Sequence, residues 1–106
     1  MKSDRSLEVY FTPRASKHIA KAKDWWLQNK TKAPQALRED LDTALELIST
    51  HPGIGEAARN VRLAGVRRVY LNRVRYYLYY RIREGSMLSI EVVAFWHASR
   101  GSGPSL

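Results

Sequence analysis

The sequence predicts an α+β fold: an N-terminal strand and an antiparallel helical hairpin packed on a small antiparallel β-sheet. Three observations carry this reading. Two stretches in the first half repeat apolar residues at helical spacing. The connection between them is so short that the second helix must return alongside the first. The second half consists of β-branched and aromatic runs with a two-residue period, divided by turn-forming residues.

The elements follow in order. "LEVYF" alternates Leu7, Val9 and Phe11 against Glu8 and Tyr10, as a short strand does. Thr12 suits the N-cap of a helix, and Pro13 its first position, where a missing N–H does no harm. Ala15, Ile19, Ala22 and Trp26 then form one apolar stripe, with His18 and Trp25 on its flank, and the helix ends near Asn29. A second helix from about Pro34 to Ser49 lines up Leu37, Leu41, Leu45 and Ile48 until "THPGIG" stops it. "VRRVYL", "VRYYLYYRIR" and "MLSIEVVAFW" read as an antiparallel meander with two tight turns. In the middle strand Val74, Tyr76, Leu78, Tyr80 and Ile82 face the core, opposite Arg75, Tyr77, Tyr79, Arg81 and Arg83. In the last strand Leu88, Ile90, Val92, Ala94 and Trp96 share one side, and Glu91, Val93, Phe95 and His97 the other.

With 106 residues, the chain is expected to be a single domain, 1–106, ending in a flexible Gly/Ser/Pro tail from about 101 to 106. No apolar run approaches the roughly 20 residues of a membrane helix, so no membrane association is expected. The N-terminus has no apolar signal region and the chain has no cysteine, which fits a cytoplasmic location. The net charge of +8 calls for an anionic partner. From Ala57 to Arg83 there are eight arginines and no carboxylate, whereas "REDLDTALE" is acidic.

The arginine-aromatic sheet face is the leading functional candidate, because guanidinium groups bind phosphate or carboxylate and tyrosines stack or pack against a partner. An antiparallel pairing of the last two strands is expected to gather Arg75, Arg81, Arg83, His97 and Arg100 into one target-binding surface. The plainer alternative is a solvated sheet face, polar as such faces usually are. A catalytic reading would take His97 as acid or base, with Arg81 stabilising charge. It is weakened because guanidinium does not move protons near neutral pH. His97 could equally satisfy a strand-end hydrogen bond. The spacing of His18, His51 and His97 matches no metal site, and neither metal nor cofactor is expected. Trp26 fits the core, whereas Trp25, about a hundred degrees round the helix, suits a protein partner.

The ordered set "TPRA", a helix stopped by "HPGIG", "GVRRVYLNRVRYYLYYRI" and "IEVVAFWHASR" resembles the RelE/ParE superfamily of bacterial toxins, over about Leu7 to Arg100. The resemblance implies the toxin of a type II toxin-antitoxin module, neutralised by an acidic, partly disordered antitoxin in a hetero-oligomer. Ile19, Trp25, Trp26, Leu37 and Leu41 are the expected antitoxin-binding residues. RelE-like members cleave mRNA on the ribosome, whereas ParE-like members inhibit DNA gyrase. "HPGIG", the His97-x-x-Arg100 ending and the lack of lysine after Lys32 look more like ParE, although Lys17, Lys21 and Lys23 make the first helix unusually basic. The expectation is a non-catalytic gyrase inhibitor. The alternatives are a RelE-like ribonuclease using His97 and Arg81, or a degenerate module that only binds antitoxin.

Overall fold

A computed structural model describes residues 6–59 and 61–106. The chain forms β1 (Glu8–Phe11), α1 (Pro13–Asn29), α2 (Ala36–Thr50), β2 (Glu56–Ala57), β3 (Arg67–Leu71), β4 (Tyr76–Arg83) and β5 (Ser89–His97). The start of α1 follows from local chemistry. Thr12 stays extended, its hydroxyl accepts from the Ala15 N–H at 3.1 Å, and Pro13 takes the first helical position. Ala15, Ile19, Ala22 and Trp26 are buried as the stripe requires. The Trp26 indole N–H donates to the Ala33 carbonyl at 2.8 Å and ties down the connection. α2 begins at Ala36, two residues later than expected, and buries Leu37, Leu41, Ala44 and Ile48.

The sheet order is β1-β5-β4-β3-β2. β3, β4 and β5 form the expected antiparallel meander, but β1 runs parallel to β5, so the sheet is mixed. Strands joined by tight turns must be antiparallel. β1 is separated from β5 by most of the chain, and nothing local dictates its direction.

β2 was not anticipated, because two residues cannot show a period. It is set by the "HPGIG" turn, which closes on Tyr80. The fully buried Tyr80 hydroxyl accepts from the Gly55 N–H at 2.9 Å and donates to the Pro52 carbonyl at 2.6 Å. A Cβ on Gly55 would lie 2.7 Å from that hydroxyl, so only glycine fits this approach.

A β-bulge corrects the expected faces of the last strand. Tyr79 pairs with Ala94 and Tyr80 with Val92, which leaves Val93 as an extra residue in β5. One inserted residue exchanges the faces beyond it. Phe95 therefore joins Ile90 and Val92 in the core beneath the helices, while Ala94 joins Val93 and Tyr79 in a second cluster on the opposite side.

That second cluster also corrects the picture of an open basic-aromatic face. Tyr79 and Val66 are buried there, with Val61, Leu63, Trp96 and Leu106 packed over them. The tail, expected to be flexible, lies across this face: the Arg62 N–H donates to the Leu106 carbonyl at 2.8 Å, and the Trp96 indole N–H to Ser102 at 2.7 Å. Pro104 is buried, and the Arg14 guanidinium donates to the Ser105 carbonyl.

Among the five residues assigned to the antitoxin, Ile19, Trp26, Leu37 and Leu41 are only 2% to 8% exposed and belong to the main core. The hairpin's apolar stripe is the side that covers the sheet, so it is occupied within the domain. Trp25 alone of the five is open, at 46% exposure.

Candidate functional site

β1 ends at Phe11, opposite Val92, and from there β5 has no strand on that side. α1 crosses the bare edge instead. The Phe95 N–H that would meet a neighbouring strand donates to His18 Nδ1 at 3.2 Å. An amide can only donate, so Nδ1 carries the lone pair and the neutral ring bears its proton on Nε2. Burial lowers the His18 pKa, and the cations Arg14, Arg100 and Lys21 lower it further.

His97, the last residue of β5, is held in the same tautomer. Its Nδ1 accepts from the Ser99 N–H at 3.1 Å, with Ser99 Oγ at 2.6 Å. Burial lowers its pKa as well, helped by Arg100, Arg75 and Lys30. Both imidazoles are thus neutral near pH 7, each with an N–H to offer.

Tyr76 faces His97 across the ladder and meets its ring edge-on at 4.9 Å. It stacks on Phe95 with ring centroids 4.5 Å apart, and it is 8% exposed. Its hydroxyl makes no hydrogen bond among the described residues and borders a cleft of about 450 Å³. Burial raises the phenol's pKa, and nearby Arg100 opposes that shift without reversing it. The Arg100 guanidinium lies 4.1 Å above the Trp96 ring, which also packs edge-on against His18 at 5.4 Å. Lys21 and Trp25 from α1 complete the rim.

The cleft therefore presents two imidazole N–H groups, a phenol, an ammonium and a guanidinium, and no carboxylate is among its lining residues. Such a set of donors binds an anionic or strongly accepting group. It is poorly arranged for proton abstraction, because the Nδ1 lone pair of each imidazole is already occupied by a backbone N–H.

The expected single surface of five residues is split. Arg75 lies beside His97 and Arg100, its carbonyl accepting from the Ala98 N–H at 2.8 Å, and its backbone is left-handed with φ of 64°. Arg81 and Arg83 pair with Glu91 and Ser89 at the other end of the strand, roughly 17 Å or more from His97 at the usual rise per residue. Antiparallel pairing brings the start of β4, not its end, to the end of β5. Both distant arginines are engaged by Glu91, at 2.8 Å from Arg81 and 3.4 Å from Arg83.

Other arginines of the carboxylate-free stretch also find acids from outside it. Arg68 meets Glu56 at 2.7 Å, and Arg73 clamps Glu39 and Asp40 at the start of α2. Sequence reasoning missed Lys21, Tyr76, Trp96 and the role of His18. The available signal was a histidine on the flank of the α1 stripe, one turn before Ala22.

Two solved structures share the fold. The chromosomal ParDE toxin-antitoxin system from P. aeruginosa aligns with a TM-score of 0.69 and 16% identity, covering 91% of this chain and 100% of that one. The YoeB dimer from Staphylococcus aureus aligns with a TM-score of 0.56 and 20% identity, covering 87% and 97%. No curated protein sequence matches the chain. A sequence model of the family described as "ParE toxin of type II toxin-antitoxin system, parDE" matches residues 9–101, and the chain belongs to that family. Among the described residues no helix is long and apolar enough to cross a membrane.

Proposed function

We propose that this ParE-family toxin inhibits DNA gyrase in the cytoplasm, contacts its target through the end of the sheet that carries Arg75, His97 and Arg100, and is neutralised by an acidic cognate antitoxin in a hetero-oligomeric complex. The observation that carries the reading is the donor-lined cleft at the end of β5, where cations stand without a carboxylate. The family supports the target, and the +8 charge supports an acidic partner.

The antitoxin segment is assigned to the outer side of the hairpin. A groove there has exposed Leu27 at its rim and Lys23, Arg38 and Asp42 beside it, with only the edges of the buried Trp26, Leu37 and Leu41 reaching its floor. An amphipathic helix with acidic flanks fits that lining.

The test is a supercoiling assay with purified toxin, run beside incubation with translating ribosomes. The reading expects inhibition of gyrase and intact mRNA. Codon-specific cleavage lost in His97→Ala would replace it with the ribonuclease alternative. Failure to bind the product of the adjacent gene would remove the antitoxin assignment.

A further inference from the structure

We infer that the cleft between α1 and the end of β5 is a binding site for a nucleotide phosphate of a single nucleic-acid strand, with the phosphate on the Tyr76, His97 and Arg100 donors and the base against Trp25. This deepens the reading of the cleft as the target-contacting site and rests on that placement, but not on gyrase being the target.

The first ground is Tyr76. Its side chain is more than nine-tenths buried, yet its hydroxyl borders the cleft with no hydrogen-bond partner among the described residues. The hydroxyl is open to the cleft at the end of a ring held by Phe95 and His97, so it is fixed in place and free to donate to a ligand. The second ground is convergence. His18 and His97 each have Nδ1 occupied by a backbone N–H, from Phe95 and Ser99, which leaves an Nε2–H as the free polar group of each ring. With Lys21 and Arg100, every polar group offered is a donor at neutral pH, and an oxyanion is the ligand that suits all of them.

The size of the cleft and its aromatic rim select the kind of oxyanion. About 450 Å³ is the volume of a small-molecule site and exceeds what one aspartate or glutamate side chain fills. Trp25 stands at the rim, 46% exposed, as a stacking platform for a base. Bases splayed out of a single strand are the ones that stack on aromatic side chains, so the base on Trp25 is an unpaired one.

The experiment measures anisotropy of a labelled single-stranded pentadeoxynucleotide titrated with the full chain, with thermal unfolding of each variant recorded in parallel. Saturable binding is expected, weakening about sevenfold between roughly 50 and 200 mM salt if Lys21 and Arg100 make two phosphate contacts. Tyr76→Phe keeps the stack on Phe95 and the melting temperature, and it weakens binding about tenfold by removing one hydrogen bond to a charged group. Trp25→Ala also weakens binding, while Lys32→Ala, which removes an exposed charge in the connection between the helices, leaves it unchanged. A duplex binds by charge alone and is insensitive to Tyr76→Phe.

Displacement by thymidine monophosphate at similar concentration identifies a free nucleotide as the source, and displacement only by a strand identifies a polymer. Both support the site. If Tyr76→Phe and Trp25→Ala bind the strand as the parent does, the inference is overturned. It is equally overturned if a Tyr76-dependent ligand proves to be an acidic peptide and not a nucleotide. A parallel supercoiling assay separates the two readings: Tyr76-dependent nucleotide binding without gyrase inhibition keeps the site and removes gyrase, and the reverse removes the site alone.

Discussion

The two ends of the β4–β5 ladder carry the same kind of residue in opposite states. At one end Arg81 and Arg83 share Glu91, whose side chain is 21% exposed, so their charge is spent within the fold. At the other end Arg100, His97, Tyr76 and His18 line a cleft without a carboxylate in its lining, and Arg75 stands beside His97. The difference is one of register: positions separated by five or more residues along β4 meet opposite ends of β5. Along the chain the arginines are alike, and only pairing decides which remain available to a partner.

The largest expected effect belongs to the core that holds both ends. Trp26→Ala should lower stability by about 3–5 kcal/mol, because it removes a buried indole and its bond to Ala33. A urea titration measures this, and the two ends should fail together. A Trp26→Ala protein with parental stability would show that the indole is not part of the shared core.

Glu91→Gln should open the closed end. It leaves a partly buried Arg81 with a weaker partner, at a cost of about 1–3 kcal/mol. Burial alone would raise the Glu91 pKa, but the hydrogen bonds and charges of Arg81 and Arg83 outweigh it, and the carboxyl is held below its ordinary 4.5. Its stabilising contribution is therefore complete above pH 4.5 and is lost as pH falls through the folded-state pKa. Stability measured against pH should show this acid loss in the parent and not in Glu91→Gln.

The open end should respond at higher pH. His18 and His97 have folded pKa values below the ordinary 6.5, so their contribution is complete above that value and is lost as pH falls through the folded values. His18→Gln/His97→Gln should flatten the slope of stability just below pH 6.5 while leaving the Glu91 loss in place. An unchanged slope would mean that the imidazoles are not held neutral.

The smallest effect is expected at Arg75. Its left-handed backbone costs a non-glycine residue about 1–2 kcal/mol, partly offset by the greater chain entropy of glycine. Arg75→Gly should therefore raise stability by about 0.5 kcal/mol. Because it also removes a cation of the open end, it should weaken target binding, and so separate stability from function.

What was legible in the sequence was what is local. The Thr12 cap, Pro13, both apolar stripes and the two tight turns depend on residues within a few positions of one another, and the fold class follows from them. The site depended on relations that leave no local mark. Nothing near Val93 announces a bulge, yet that residue places Phe95 beneath the helices. The bond from Phe95 to His18 spans 77 positions. The long stretch without carboxylates suggested a free basic face, but Glu39, Asp40, Glu56 and Glu91 reach into it from elsewhere. Of the five residues expected to form one surface, Arg75, His97 and Arg100 gather at one end of the sheet, because they lie at the joined ends of β4 and β5.

The most direct measurement compares the two ends in one gyrase supercoiling assay. Arg75→Ala/Arg100→Ala disarms the open end, and Arg81→Gln/Arg83→Gln/Glu91→Gln neutralises the closed end without leaving a buried charge. With both proteins verified as folded, the open-end variant should need about a hundredfold more protein to inhibit, from two charged hydrogen bonds of at least about 1.4 kcal/mol each, and the closed-end variant should match the parent. Equal loss in both variants, or loss only in the closed-end variant, would contradict the assignment of the target to the cleft. A parent that does not inhibit gyrase would contradict the target itself.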